Sequence, residues 1–418
     1  MLEKLSNELK RRRENACQFY YKGVGQSIRK KRLEMNLTQE RVALGICSNT
    51  YLSKIENNQI VVNREHLYLL MERVGMDMDK ISFPEEMIDY LEQSIKLFFY
   101  RDIEGYNELF KEVSKYEFAV LLQIIKLGYY VLIEDFDNAG LIYNEVFRYL
   151  TSLEEFGFSI FLIYSSFYNI GIANYKNARI ILDKVENHFQ NDDMVYGLYN
   201  FSKFLIYGNL HLNMTSSEAS QIAISIFNKY SNIVRLNQLY LWREIFTVYE
   251  GNYDFGYFNP NILEFVTDKE RNLYLIVLSS QSKDPINYLE YLKEEGDNYL
   301  LGLFIKARYY LLSDKLEEYK KVYDEISNLH YHKRSKLDYL YLLKLIKNND
   351  EIHLKEYLIN YALDLATQKQ NLYFMTIITH SISNILANKK RYKDALTYRL
   401  KLDEKILGFQ LATQVTIK

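Results

Sequence analysis

Asn49, Thr50, Ser53 and Lys54 fall in one short stretch, NTYLSKIE (49–56), at spacings that put them on one side of a helix. Short amide, hydroxyl and ammonium groups on a helix that fits the major groove are the donors and acceptors that read base edges and neutralise phosphates. Ser48 stands just before them as a natural N-cap. Gln39 opens the preceding segment, QERVAL, where a side-chain amide beside the free backbone N–H groups of a helix N-terminus can hold a phosphate. Arg32, the last of the basic run at 29–32, completes the set expected to contact DNA: Arg32, Gln39, Ser48, Asn49, Thr50, Ser53 and Lys54. The sequence offers no comparable case for catalysis. It contains no P-loop, HExxH, GxSxG or dinucleotide glycine pattern. His330 and His332 are the nearest histidine pair and lack acidic or cysteine partners at ligand spacing. The expectation is therefore a non-enzyme with no metal and no cofactor.

These residues need short helices in quick succession to hold them. VGQSIRKKRLEM (24–35) puts Val24, Ile28 and Leu33 near one face, with the four basic residues around the other. Thr38 caps a helix over QERVAL, with Glu40 in its first turn, and Gly45, Ile46 and Cys47 make the turn that follows. Tyr51, Leu52 and Ile55 point inward from the second helix. Asn57 and Asn58 end it, since asparagine tolerates the left-handed conformation that stops helices. REHLYLLMERVG closes the module through Leu67, Leu70 and Val74. Charge supports a separate head: residues 1–80 carry a net +5, against −7 for the remainder of a chain whose total is −2.

LTQERVALGICSNTYLSKIENNQ resembles the Xre-type helix-turn-helix, whose usual pattern runs LTQ-E-x-LA…G-V-S…IS-x-IE-x-G. It departs in a turn one residue shorter, with Ile46-Cys47 where Gly-Val is usual, in Asn58 for the glycine after the helix, and in the absence of the proline that often follows. The shortened turn is similar to that of the peptide-sensing regulators of the Rap/Rgg/NprR/PlcR/PrgX class. Ahead of this domain, residues 1–23 read as a charged helical extension with a basic cluster at 11–13.

The rest of the chain repeats. FDNA (136–139), YKNA (175–178) and YKDA (392–395) share an aromatic, two mostly polar residues and a small residue. The small residue suits the close approach of packed helices. Looser versions end at 106, 219, 256, 289, 319 and 357, so the marks recur at intervals of 30–41 residues. That scatters around the ~34-residue period of tetratricopeptide repeats. The expectation is an all-α chain: a charged extension (1–23), a helix-turn-helix domain (24–80), and about nine helical hairpins in a right-handed α-solenoid (86–410). Sixteen Gly and three Pro are too few to punctuate a large β or loop-rich α/β protein, which agrees with long helices and short turns. The 39 Tyr and 23 Phe read as filling between those helices.

The body thus resembles the repeat domain of the same peptide-sensing class, nearest to NprR-like members. That resemblance implies an inner surface lined by the first helix of each hairpin, with asparagines that grip an extended peptide backbone. Counting back from the repeat marks places His380, Asn384 and Asn388 on one inward stripe, with Arg308, Gln238 and Asn209 inward in earlier repeats. The implied function is a cytoplasmic transcriptional regulator that binds double-stranded operator DNA as a homodimer and a short signalling peptide in its body. A second reading, binding of a phosphorelay response regulator as in Rap-like and NprR-like members, stays open. No apolar run is long enough to span a membrane, the N-terminus lacks a signal-peptide pattern, and Cys17 and Cys47 give neither a disulfide framework nor zinc spacing.

Overall fold

The computed structural model describes residues 24–57, 59–60, 64–76, 84–116, 119–150, 153, 155–185, 192–249, 260–282, 284–294, 296–329, 337–368 and 372–402. The 1–23 extension, Asn58, the repeat mark ending at 256, and His330 and His332 lie outside them. The all-α class holds, with no strand among the described residues.

The head is built from α1 (Val24–Glu34), α2 (Gln39–Ala43), α3 (Asn49–Glu56) and α4 (Arg64–Arg73). Hairpins follow: α5 (Pro84–Tyr100) with α6 (Ile103–Val113), α7 (Val120–Leu132) with α8 (Phe136–Arg148), α9 (Glu155–Gly171) with α10 (Tyr175–Val185), and α11 (Asp193–Asn209) with α12 (Asn213–Lys229). After α13 (Ile233–Tyr249) come α14 (Asp268–Gln281) with α15 (Ile286–Leu289), and α16 (Gly296–Leu312) with α17 (Leu316–Asn328). Next, α18 (Tyr339–Lys347) pairs with α19 (Glu351–Tyr357), which runs through a π turn (Leu358–Ala362) into α20 (Leu363–Gln368). Last, α21 (Leu372–Asn388) is followed by helical residues 392–402. The chain forms two compact units. One is Met1–Ile206 with Ser216–Asn232, and the other is Tyr207–Thr215 with Ile233–Lys418.

Seven of the repeat marks fall at buried, closely packed positions, whereas Tyr357, the mark of LKEY, is half-buried. Tyr106, Ala139, Ala178, Ala219, Leu289, Tyr319 and Ala395 are all buried. All but one of the described turns inside the hairpins share one device; α14 ends instead at an extended Ser282, φ −89°. Arg101, Glu134, Ala173, His211, Asp314, Asn349 and Lys390 each adopt φ between 53° and 59°. The next residue's N–H reaches back five residues, as in Asp102 to Leu97 (2.9 Å) and Asn174 to Asn169 (2.7 Å). This Schellman closure usually takes glycine, and here the left-handed position never does. Capping offsets part of the strain: Asp102, Asp135 and Asp350 each accept a backbone N–H from the first turn of the following helix. Ala173→Gly, which relieves a left-handed alanine, is expected to stabilise the protein by about 0.5–1 kcal/mol in denaturant unfolding.

In the first unit, α5 does more than pack on its own hairpin. Phe98 meets Tyr164 and Phe167 of α9, with ring centroids 4.8 and 5.2 Å apart. Phe99 meets Phe227 of α12 at 5.5 Å, and its carbonyl accepts a bond from the Asn232 amide at 2.7 Å. The first helices of the next three hairpins are accordingly buried on nearly every face, and residues 157–166 of α9 are buried without a break. Gly128 of α7 marks a close approach. A Cβ there would lie 2.3 Å from the Tyr106 hydroxyl, which donates to the Ile125 carbonyl at 2.9 Å.

Candidate nucleic-acid interface and polar faces of the body

The head packs Ile28, Val42, Leu52, Ile55, Leu70, Met71 and Val74 into one core. Thr38 and Ser48 cap α2 and α3 as their types predict, accepting from the Arg41 and Tyr51 backbone N–H groups at 3.2 and 3.1 Å. Gly45 makes the turn at φ 76°, in open space, so the conformation alone calls for glycine there. Arg73 ties α4 to the turn by donating to the Arg41 and Leu44 carbonyls at 3.2 and 3.1 Å. Cys47 packs against the core, and partial burial raises its thiol above the usual range, the Leu52 amide drawing it part of the way back. A protonated, core-packed thiol does not suit a redox role.

Because Leu52 and Ile55 anchor α3 at 0% and 2% exposure, its opposite side faces out. Ser48, Asn49, Thr50 and Lys54 are exposed there, and Ser53 is half-buried. Two of the expected contacts are placed differently. Arg32 is buried at 8% exposure: its Nε and Nη2 grip the Glu56 carboxylate at 2.6 and 2.9 Å, and Nη1 donates to the Leu37 carbonyl at 2.9 Å. With its fork occupied, Arg32 positions the two helices rather than meeting a phosphate. The Gln39 amide also donates to Glu56, at 2.7 Å, so one carboxylate joins α1, α2 and α3. Glu56 is absent from the residues the sequence singles out, although it is the acidic end of the SKIE signature. Two smaller readings change as well. Leu33 is 51% exposed, because α1 turns Ser27 and Ile28 inward instead. Asn57 keeps φ −97° and ends α3 by bonding its amide to the Ser53 carbonyl at 2.8 Å.

The basic run on α1 divides. Arg29 donates to Asn57 at 3.2 Å, whereas Lys30 pairs with Glu145 of α8 at 2.9 Å. Part of the cationic face that the sequence assigns to DNA is thus spent on the head's own body.

Among the body candidates, His380, Asn384 and Asn388 do share an exposed face of α21, and Arg308 is exposed on α16. Partial burial, and then the Arg399 guanidinium, hold the His380 imidazole below its ordinary range, so it is neutral at pH 7 and can both donate and accept. Asn209 is half-buried at the end of α11. Gln238 is not on an open face. It is 6% exposed, accepts from Arg235 at 2.8 Å, and donates to Glu270, which the Trp242 indole also meets at 3.1 Å. Its amide is consumed in fixing α13 to the capped start of α14, where Thr267 and Glu270 form a capping box.

Among the described residues no helix is long and apolar enough to cross a membrane. Residues 28–81 match the helix-turn-helix family model. The fold is similar to the apo form of the quorum sensor NprR from B. thuringiensis, at 13% identity and TM-score 0.53, over 77% of this chain and 98% of that one. It is similar to a Rap protein complexed with Competence and Sporulation Factor, at 13% identity and TM-score 0.58, over 78% and 99%. NprR in complex with its cognate peptide NprX matches at 15% identity and TM-score 0.51, over 78% and 99%. No curated protein sequence matches the chain. Residues 28–81 are therefore a helix-turn-helix domain, carried by a chain with the all-helical fold of the NprR and Rap proteins.

Proposed function

We propose that this protein is a cytoplasmic transcriptional regulator whose helix-turn-helix head binds operator DNA as one half of a homodimer, and whose body binds a short signalling peptide. The observation that carries the DNA half is the exposed polar row of Ser48, Asn49, Thr50 and Lys54, set on a helix that Leu52 and Ile55 anchor in the core. The peptide half is supported by the fold shared with NprR bound to NprX, and by the location of open polar side chains. In the first unit α5 covers α9 and reaches α12. In the second, α16 and α21 leave Arg308, His380, Asn384 and Asn388 exposed. Asparagine amides can pair with both groups of a peptide unit, and arginine can take a terminal carboxylate. A peptide that binds one arrangement of the dimer better than another changes the spacing of the two heads, which must match half-sites one or more helical turns apart.

Operator binding is tested with duplexes selected from a random pool. Asn49→Ala and Lys54→Ala are each expected to weaken binding about tenfold or more, the first mainly at one base position and the second across sequences. Unchanged affinity in both variants removes residues 49–54 from the reading surface. The peptide half is tested by thermal shift against short synthetic peptides encoded beside the gene. A ligand at a hundredfold excess over its Kd adds ~2.7 kcal/mol. Absence of any specific hit, together with capture of a response regulator, would replace peptide sensing with the protein-binding reading.

A further inference from the structure

The helix over residues 392–402 carries two apolar faces. Ala395, Tyr398 and Leu402 pack into a core shared with α20 and α21. Tyr392, Leu396 and Leu400, at i, i+4 and i+8, form a second stripe that stands 66%, 56% and 52% exposed. The same positions are covered earlier in the chain. Aligning FDNA, YKNA and YKDA sets Tyr392 beside Phe136 and Tyr175, and Leu396 beside Gly140 and Arg179. Phe136 and Tyr175 are half-buried, and Gly140 and Arg179 are buried. In the second hairpin the cover is α9, the first helix of the next one. The Phe136 ring lies against Gly171, and a Cβ on Gly140 would meet the Tyr168 hydroxyl at 2.8 Å. Among the described residues no helix follows 392–402 to give Tyr392 and Leu396 the same cover.

Charge decides what kind of helix fits. Residues 389–402 hold six cations and one carboxylate, Asp394, which Arg391 takes at 2.6 Å. Lys389 pairs with Glu351 of α19 at 3.3 Å. Lys393 and Arg399 bracket the apolar stripe on its two sides, both exposed and without an ion pair among the described residues. A second copy of the stripe would set these cations against their own kind. Residues 403–418 carry two acids and two lysines, and so bring no net charge to answer them. We propose that this face docks an acidic amphipathic helix of another protein, in the place that α9 takes on the second hairpin. Its apolar side would cover Tyr392, Leu396 and Leu400, which span about 12 Å, and its carboxylates would meet Lys393 and Arg399.

The probe is a synthetic helix of 17 residues, the length of α9, with leucine at i, i+4, i+7 and i+11, glutamate on the flanks and alanine elsewhere. Its twin carries lysine for glutamate. Fluorescence anisotropy on the full chain is expected to show saturable binding of the acidic peptide, weakened by salt, and binding of the lysine twin at least about tenfold weaker. Tyr392→Ser with Leu396→Ser should cost about tenfold or more. Both side chains are more than half exposed, so the fold is expected to persist. Lys393→Glu with Arg399→Glu, a second pair of exposed sites, should reverse the preference between the twins. No binding, equal binding of the two peptides, or binding indifferent to both double variants would overturn the proposal. So would three other results, each naming a different occupant. Loss of a wild-type dimer in the serine variant assigns the face to a second copy. Peptide binding only in a chain ended at Leu402 assigns it to residues 403–418. Displacement of the peptide by phosphatidylglycerol vesicles assigns it to a membrane surface.

Discussion

Glu56→Ala is expected to lower the stability of the head by about 3–5 kcal/mol and to abolish operator binding with it. Glu56 is 1% exposed and receives three charge-assisted or amide hydrogen bonds, two from Arg32 and one from Gln39, all between 2.6 and 2.9 Å. Truncation leaves the Arg32 guanidinium, whose side chain is 10% exposed, without its counter-charge in a low-dielectric site. The Leu37 carbonyl remains its one acceptor among the bonds described above. A small helical domain has few kcal/mol to lose, so the change removes most of its margin. Amide hydrogen exchange on the full chain reads this directly: protection over residues 24–76 should collapse while the hairpins keep theirs. The discriminating variant replaces both partners. Arg32→Met with Glu56→Leu swaps the buried pair for apolar groups of similar volume, and it is expected to recover most of the lost stability. A loss below about 1 kcal/mol in Glu56→Ala, or no recovery in the double variant, would mean that the pair does not hold the head together. DNA affinity gives a second readout, since a positioning role for Arg32 predicts that the refolded double variant binds DNA again.

The head was legible because its signals are local. Thr38 and Ser48 announce two helix starts, Gly45 a turn, and the spacing of Leu52 and Ile55 fixes which side of α3 faces out. The repeat marks were legible for the same reason, since a small or aromatic residue at a packed crossing is demanded by its own hairpin. What stayed hidden depends on contacts between distant segments. Arg32 reads as one more base in a basic run until Glu56, 24 residues away, is brought against it. Lys30 carries no mark that its partner is Glu145. Gln238 sits on a helix of the right kind, but a one-position rotation decides between an open face and the Glu270 network. The hairpin turns were obscure for another reason. Their left-handed residues are Arg, Glu, Ala, His, Asp, Asn and Lys, so the usual glycine signal is absent. The aspartates that follow several of them are the better clue, because each opens the next helix.

The largest effect in the body is expected from Phe99→Ala, at about 3–5 kcal/mol. A repeat period by itself says that each hairpin contacts its neighbours and that stability is a sum of short-range terms. On that view Phe99, in the first hairpin, should matter only to the first and second. The structure places it otherwise. The ring is fully buried, lies 5.5 Å from Phe227 and 5.7 Å from Tyr230, and a Cβ on Gly197 would be 3.4 Å from it. The Asn232 amide bonds the carbonyl of the same residue, and the Tyr100 hydroxyl next to it reaches the Tyr230 carbonyl at 3.3 Å. These links close residues 99–100 onto residues 227–232, so an alanine removes packing from two ends of the first unit at once. Denaturant unfolding of the full chain should show the loss, together with a broader transition as the first hairpin uncouples from the fourth. Leu141→Ala on α8, where the side chain is 70% exposed, is the matched control and should stay within about 0.5 kcal/mol of wild type. Phe99→Leu separates the two contributions, because it keeps most of the apolar volume but loses the ring contacts. If Phe99→Ala costs no more than an ordinary neighbour contact, near 1 kcal/mol, the closure is incidental and the unit behaves as a linear stack. If it costs the larger amount, α5 is the element that holds the first unit closed, and the open polar faces of α16 and α21 remain the better place to look for a bound peptide.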